Sequence, residues 1–198
     1  MASSRKSRVQ SGPLSATPAK RSTRRSSSQS STSEHSSLSG GEPPLPTSTG
    51  DSPPTTDPTL TMVQGDLFSC PNSSSLAHCI SADISMGKGV AKVFKTQFGG
   101  VAELKAQGVQ TGGVAVLKKH GRFIYYLVTK QRHFHKPTYE TLNFSLQAMK
   151  KHCLANKVSE LCMPMIGCGL DLLDWGKVKP LIVQVFAGIR INITIYYL

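Results

Sequence analysis

From residue 60 to residue 198, segments with the pattern of a β-strand alternate with segments with the pattern of an α-helix. Strands are predicted over residues 60–68, 75–81, 160–166 and 191–198, with a further strand pair over 114–130 that turns at 119–122. Helices are predicted over residues 89–100, 138–156 and from about 175 to 187. Two segments, 123–128 and 191–198, are almost entirely apolar, which predicts strands buried on both faces of a central sheet. This order of elements predicts a three-layer α/β domain.

Serine, threonine and proline dominate residues 1–58, and the first aromatic residue of the chain is Phe68. Such a segment offers too little apolar surface to offset the entropy cost of ordering. Residues 1–58 are therefore predicted to be a disordered tail, and residues 59–198 the folded domain. The basic cluster AKRSTRR at 19–25 is typical of a nuclear import signal or a nucleic-acid contact, and a solvated tail without a specific partner is the alternative. We expect the protein in the nucleus, in the nucleoplasm or nucleolus, with the cytoplasm as a further location.

The chain carries a formal net charge of +12 at pH 7, of which +3 falls on residues 1–60 and +9 on residues 61–198. This charge favours a polyanionic partner, so a nucleic-acid-binding protein is one interpretation, although the sequence has no RNA-binding aromatic motif. No apolar run reaches the roughly 18–20 residues that span a bilayer, and the N-terminal segment does not have the pattern of a secretory signal. We therefore expect a soluble, intracellular monomer with no membrane partner. The five cysteines form no C-x-x-C pair and are odd in number, which argues against a zinc site and a disulfide framework.

Three unusual stretches follow the predicted strands. GDLF at 65–68 supplies an acid, whereas MGKG at 86–89 and IGCGLD at 166–171 are glycine-rich turns. Glycine lets backbone N–H groups and a helix N-terminus approach a phosphate, and consecutive amides can form an anion-binding nest. A single turn of this kind is weak evidence, because tight turns use glycine for steric reasons alone. Two such loops and an acid in one α/β domain predict a diphosphate site beyond the carboxyl ends of the strands.

The segments VQGDLF, AHCIS, MGKGVAKVF, FGG, YYLVTK, HKPTYE, MPMIGCGLD and the final YYL follow one another in this order. Together they resemble the terminal ADP-ribose protein glycohydrolases of the macrodomain superfamily, over about residues 60–198. Two positions depart from that pattern, because Met165 and Leu172 stand where the family usually has Arg. Both changes bear on affinity for phosphate or for the modified partner.

The resemblance implies a macrodomain with a central mixed sheet flanked by helices. It implies a hydrolase that removes ADP-ribose ester-linked to Glu or Asp of modified proteins through a lysine-ADP-ribose intermediate, and that also deacylates O-acetyl-ADP-ribose. The implied partners are ADP-ribosylated proteins, ADP-ribose and O-acetyl-ADP-ribose, with poly(ADP-ribose) and ADP-ribosylated nucleic acid as further candidates, in the setting of the DNA damage response. No metal or redox cofactor is expected. The alternative is a non-catalytic ADP-ribose-binding reader module.

Two residues are assigned catalytic roles by this resemblance. Lys130 is the implied nucleophile, although a lysine at a strand end is more often a solvated stop signal. A lysine amine attacks a sugar only when it is unprotonated, which requires desolvation or nearby positive charge. Asp171 is the implied general base and acid. Its alternative role is a helix N-cap, for which Asp174 competes.

The predicted substrate-binding residues lie in the loops that follow the strands: Asp66, Leu67, Ser81, Gly87, Gly89, Met165, Ile166, Gly167, Cys168, Gly169, Leu170 and Leu198. Asp66 is the candidate partner of the adenine amino group, and a turn-forming Asp is the alternative. Cys168 is interpreted as a small loop residue rather than a thiol nucleophile, because no His has a local relation to it. His133 and His135 are interpreted as surface residues rather than metal ligands, since no third ligand is evident.

Overall fold

The computed structural model describes residues 57–198. The tail predicted over residues 1–58, with its basic cluster, lies outside the described residues except for its last two positions. The strands are β1 (Thr59–Gln64), β2 (Ser75–Ser81), β3 (Val114–Lys119), β4 (Arg122–Lys130), β5 (Glu160–Pro164) and β6 (Asn192–Tyr197). The helices are α1 (Gly89–Phe98), α2 (Val101–Ala106), α3 (Tyr139–Ala155) and α4 (Trp175–Phe186), with a short 3-10 helix at Leu67–Ser69.

The six strands form one mixed sheet in the order β1-β6-β5-β2-β4-β3. All neighbouring strands run parallel except β3 and β4, which form the predicted antiparallel hairpin. Its two turn residues, His120 and Gly121, both have positive φ, at 51° and 79°. This combination is typical of the type I′ turn, whose twist matches that of the flanking strands.

An apolar core lies on each face of the sheet, so the predicted three-layer α/β fold is confirmed. One core packs α3 and α4 against the sheet, with Leu146 and Phe186 fully buried. The other packs α1, α2 and the 3-10 helix against the opposite face, with Phe94 and Leu104 buried. α3 begins with a capping box, in which Thr138 and Thr141 exchange side-chain to backbone hydrogen bonds.

Two local predictions were wrong, and one helix was missed. The first strand ends at Gln64 rather than residue 68, because the Asp66 side chain accepts a hydrogen bond from the Phe68 amide and starts the 3-10 helix. α2 was not predicted, because Gly100 was interpreted only as a stop. Gly100 instead has φ +68° and caps the new helix, in a space where a Cβ would lie 2.5 Å from Leu117 Cδ1. Finally, β6 is buried on one face only, since its alternate residues are half-buried or exposed.

The five parallel strands all end at the same edge of the sheet. Their last residues are Gln64, Ser81, Lys130, Pro164 and Tyr197. Loops that follow such strands meet outside the sheet, where α/β proteins bind ligands. Within residues 57–198, no helix combines the length and apolar character that crossing a membrane requires.

Candidate active site

A cleft of about 1310 Å³ opens at the carboxyl edge of the sheet. Every residue predicted to be catalytic or substrate-binding lines it: Asp66, Leu67, Ser81, Gly87, Gly89, Lys130, Met165, Ile166, Gly167, Cys168, Gly169, Leu170, Asp171 and Leu198. These residues come from loops far apart in sequence, so the fold brings the predicted set together. Their individual roles stay predictions.

Lys130 and Asp171 form an ion pair inside the cleft, in which Lys130 Nζ donates a hydrogen bond to Asp171 Oδ1. Their side chains are only 13% and 14% exposed. Lys130 is therefore not a solvated strand end. Of the two conditions that favour an unprotonated lysine, partial burial is present. Nearby positive charge is not, since the partner of Lys130 is the carboxylate of Asp171.

An irregularity in the sheet sets the position of Lys130. Ile80 on β2 pairs with Val128, but the next residue, Ser81, pairs with Lys130, so Thr129 is an extra residue on β4. The Thr129 carbonyl accepts a hydrogen bond from the Thr141 hydroxyl at 2.8 Å, which ties the bulge to the start of α3. A bulge changes the direction of the side chain that follows it, and this one precedes the lysine.

Asp171 lies in the loop between β5 and α4, where Asp174 and not Asp171 caps the helix. Asp174 Oδ1 accepts from the Gly176 amide at 2.8 Å, so the carboxylate of Asp171 is left for Lys130. The loop is closed by a hydrogen bond of 2.8 Å from the Leu173 amide to the Gly167 carbonyl. Gly167 has φ +73°, and a Cβ there would lie 2.8 Å from Leu173 Cδ1, so the loop requires glycine at this position.

Two of the loops that line the cleft have backbone amides without an acceptor among the described residues. No side chain caps the N-terminus of α1, although Lys88 occupies the capping position. Among the described residues, the amides of Gly169 and Leu170 also have no hydrogen-bond acceptor, whereas the Cys168 amide donates to the Met165 carbonyl. The two loops approach each other, because Leu170 Cδ1 lies 3.5 Å from the place of a Cβ on Gly89. Such amides suit an anion held between the loops.

Asp83 is a residue of this region that the sequence interpretation missed. It accepts hydrogen bonds from the Ser81 hydroxyl, the Ser85 amide and the His133 amide. Burial alone would raise the pKa of Asp83, but these hydrogen bonds and that of the His133 ring outweigh burial and hold the pKa below its usual range. The Ser-x-Asp pattern directly after a strand was the available signal, since Ser and Asp often bond locally in such turns.

The remaining predicted residues differ in how well they fit their assigned roles. Asp66 is exposed, and its Oδ1 caps the 3-10 helix by accepting a hydrogen bond from the Phe68 amide at 3.0 Å. Asp66 therefore has the turn-forming role, and its contact with the adenine amino group stays a prediction. Leu67 is buried in that helix, whereas Leu198 is almost fully exposed at the cleft. His133 and His135 are exposed, as predicted, but they also line the cleft.

Neither thiol in the cleft is suited to act as a nucleophile. Burial, with the negative charge of Asp174 in addition, raises the pKa of Cys168 to about 11. Burial and then the charge of Asp171 raise the pKa of Cys79 to about 12. Both cysteines are therefore protonated at neutral pH, which agrees with the interpretation of Cys168 as a small loop residue. Within residues 57–198, no group of three His, Cys, Asp or Glu side chains is placed to hold a metal ion.

Comparisons with known proteins agree with this architecture. Residues 77–182 match the Macro domain family. Human ADP-ribose glycohydrolase OARD1 is 58% identical over 139 residues, which cover 70% of this chain and 91% of the relative, and the bovine protein of the same name matches equally.

Solved structures show the same fold. The macrodomain of Thermus aquaticus DarG superposes with a TM-score of 0.65 at 24% identity, covering 71% of this chain and 99% of that one. Thermosipho africanus DarTG in complex with ADP-ribose has a TM-score of 0.62 at 24% identity, over 70% of this chain and 41% of that one. Because the family match spans more than half of the chain and the human relative is matched over nearly its whole length, the chain belongs to the macrodomain family.

Proposed function

We propose that this protein is a hydrolase that removes ADP-ribose ester-linked to Glu or Asp side chains of modified proteins, and that it also deacylates O-acetyl-ADP-ribose. The observation that carries the proposal is the shielded Lys130–Asp171 pair, which lies in the same cleft as two loops with free backbone amides. The curated relatives at 58% identity are named ADP-ribose glycohydrolases, which supports the same activity here.

The two side chains divide the chemistry between them. Lys130 must lose a proton before it attacks, and the carboxylate of Asp171, already in hydrogen-bond contact, is the acceptor. The neutral amine attacks the anomeric carbon of the distal ribose, and the bond from that carbon to the ester oxygen breaks, releasing the substrate carboxylate. Asp171 then gives its proton to the ring oxygen and takes one from the lysine nitrogen, as the ring opens to a protonated Schiff base. Water adds to the Schiff base, the carbon–nitrogen bond breaks, and ADP-ribose leaves with Lys130 regenerated.

A non-catalytic reader of ADP-ribose is the alternative, and it is not favoured. A reader needs the amide-lined loops but no partly buried lysine and carboxylate in contact with each other. The two functions are separated by incubating the full chain with a protein ADP-ribosylated on Glu and following free ADP-ribose by chromatography. The hydrolase releases ADP-ribose with multiple turnovers, whereas a reader binds the modified protein and releases nothing.

Gly167→Ala is expected to weaken ADP-ribose binding about tenfold. Alanine in the left-handed region costs roughly 1–2 kcal/mol, and here its Cβ would also displace Leu173 and with it the loop that carries Asp171. Calorimetric titration with ADP-ribose measures the loss. Gly108→Ala is the matched control, because Gly108 has φ +60° but lies outside the cleft and has open space for a Cβ. An equal loss of affinity in both variants would contradict the assignment.

The cellular setting is proposed from the sequence alone. We propose a nuclear protein of the DNA damage response, working as a monomer, with poly(ADP-ribose) and ADP-ribosylated nucleic acid as further ligands. The basic cluster at 19–25 and the net charge support it. Replacing its four basic residues by alanine in a fluorescent fusion should shift the protein to the cytoplasm, and unchanged nuclear fluorescence would remove the cluster from the proposal.

A further inference from the structure

Three large apolar side chains are exposed on the loops that adjoin Lys130 and Asp171, and two of them, Phe134 and Leu170, line the cleft. Phe134 is 70% exposed in the loop that follows Lys130, and the two residues on either side of Asp171 in sequence, Leu170 and Leu172, are 66% and 76% exposed. Within residues 57–198, only Leu198 is a more exposed large apolar residue. Single exposed leucines are ordinary, but three on the two loops that adjoin the proposed catalytic residues indicate a contact surface. We call Phe134, Leu170 and Leu172 the apolar rim.

The structure holds the apolar rim in place. Lys136 Nζ donates a hydrogen bond of 2.7 Å to the Leu170 carbonyl, which connects the loop after Lys130 to the loop before Asp171. On its other side, the His133 ring contacts Asp83 at 3.1 Å. The rim residues are therefore presented on connected loops and not on independent segments.

Leu172 gives a second and independent indication. Its φ is +62°, a left-handed conformation that costs a leucine roughly 1–2 kcal/mol, and its amide donates to the Gly169 carbonyl at 3.1 Å. A strained residue whose side chain is nevertheless turned into solvent gains nothing from packing in the free protein. Strain of this kind persists mostly where it serves a function.

The chemistry of the site decides what reaches the rim. If Lys130 attacks the distal ribose, the ester oxygen and the group attached to it must lie outside the cleft, beside the loops that carry the two catalytic residues. In the proposed function that group is a polypeptide. Two of the three rim residues are leucines, which offer a nucleobase neither a hydrogen-bonding group nor a flat ring. All three, including the ring of Phe134, suit aliphatic and aromatic side chains of a peptide.

We propose that the apolar rim binds large apolar side chains next to the modified carboxylate, so that the protein acts preferentially on modified Glu or Asp flanked by such residues. This specificity rests on the proposed hydrolase activity. The side chains of Phe134 and Leu172 contact the leaving polypeptide and not the ADP-ribose, whereas Leu170 also belongs to the predicted ADP-ribose site. Loss of the Phe134 and Leu172 side chains should therefore leave small substrates unaffected.

The test uses two peptides that carry ADP-ribose on the same Glu, one with Leu on both sides and one with Gly, together with O-acetyl-ADP-ribose. The unaltered protein should have a kcat/KM about tenfold higher for the Leu-flanked peptide, the order expected from burying part of one large apolar side chain. Phe134→Ser and Leu172→Asn should abolish that preference and keep O-acetyl-ADP-ribose turnover within about twofold, Asn being tolerant of positive φ. Leu154→Ser is the matched control, because Leu154 is 54% exposed on α3 away from the cleft and should change nothing.

Two outcomes would overturn the specificity: equal kcat/KM for both peptides in the unaltered protein, or equal losses on the peptide and on O-acetyl-ADP-ribose in the rim variants. A loss confined to an ADP-ribosylated oligonucleotide would assign the rim to nucleic acid instead.

Binding of the two intact peptides to Lys130→Ala, measured by fluorescence anisotropy, separates the rim proposal from the hydrolase proposal. Tighter binding of the Leu-flanked peptide without any turnover by the unaltered protein would keep the rim and refute the hydrolase, whereas equal binding with turnover would do the reverse.

Discussion

Lys130→Ala is expected to lower kcat for release of ADP-ribose from a Glu-modified protein by roughly 10³-fold or more, with ADP-ribose affinity changed by no more than about threefold. The amine is the group that forms the covalent bond, so its removal eliminates the reaction path and not only one contact. Binding should survive because the free amides that suit the diphosphate come from the loops before α1 and α4. Single-turnover kinetics and a calorimetric titration measure the two quantities on the same preparation.

Asp171→Ala separates the two roles. Without the carboxylate, ring opening and hydrolysis lack their proton carrier, so any adduct that forms on Lys130 should accumulate and be visible by mass spectrometry of the intact protein. Lys136→Ala is the control, since Lys136 lines the same cleft but donates to the Leu170 carbonyl and not to Asp171. It loses one contact between two loops but keeps both catalytic groups, so it should still turn over substrate and accumulate no adduct. Wild-type turnover by Lys130→Ala would refute the nucleophile assignment.

The free energy of unfolding is expected to fall by roughly 2 kcal/mol between pH 6.5 and pH 4.5, mainly because of His78. His78 is fully buried on β2, with its ring stacked on Phe94 at a centroid distance of 3.8 Å and edge-on to Tyr126 at 4.8 Å. Burial lowers the pKa of His78 from the usual 6.5 to about 3. The packed groups offer no countercharge, because burial also raises the pKa of Tyr126 and keeps it neutral.

The direction follows from which state takes up the proton. In the unfolded chain His78 becomes charged as the pH falls through 6.5, whereas in the folded protein it stays neutral until about pH 3. Between these values the unfolded state holds one more proton, so stability is full above pH 6.5 and decreases on acidification by up to about 1.4 kcal/mol per pH unit. The stability that the low pKa of Asp83 provides is present at these pH values and is lost only in more acidic solution, as the pH falls below the usual pKa of an Asp.

Urea unfolding at pH 6.5, 5.5 and 4.5 measures this slope. His78→Leu should flatten it, whatever the variant does to stability at pH 7. Burial also lowers the pKa of His152, so His152→Gln removes a separate and smaller share and serves as the control. An unchanged slope in His78→Leu would show that another group binds the proton.

Most of the fold could be predicted from the sequence, because most of its strands and helices have a clear pattern of apolar residues. β4 is a long apolar strand, α3 shows helical spacing over its whole length, and the His120-Gly121 pair allows a two-residue turn. α2 is six residues long and begins at a glycine, so it has neither the length nor the capping residue that marks a helix in sequence. Its position depends on Leu117, which fills the space a side chain at Gly100 would need, and contacts of this kind have no local signal.

The site was predictable only in part from local patterns. The glycine-rich loops predicted the position of the cleft, because Gly89 and Gly167 adopt a positive φ that other residues rarely adopt. Lys130 had no such mark, and its assignment came from resemblance to a family. The extra residue at Thr129 that precedes it arises from pairing with β2, far away in sequence. Asp83 was missed for a similar reason, because its hydrogen bonds to His133 join residues 50 positions apart.

Asp83 also has a consequence for the kinetics of ligand capture. Its carboxylate connects the loop after β2 to the loop after β4, and Lys136 connects the latter to the loop after β5. Three walls of the cleft are thus fastened to one another before any nucleotide arrives. A preorganised cleft loses little conformational entropy on binding, so complex formation should proceed in one step at a rate proportional to ligand concentration, without a slow closing phase.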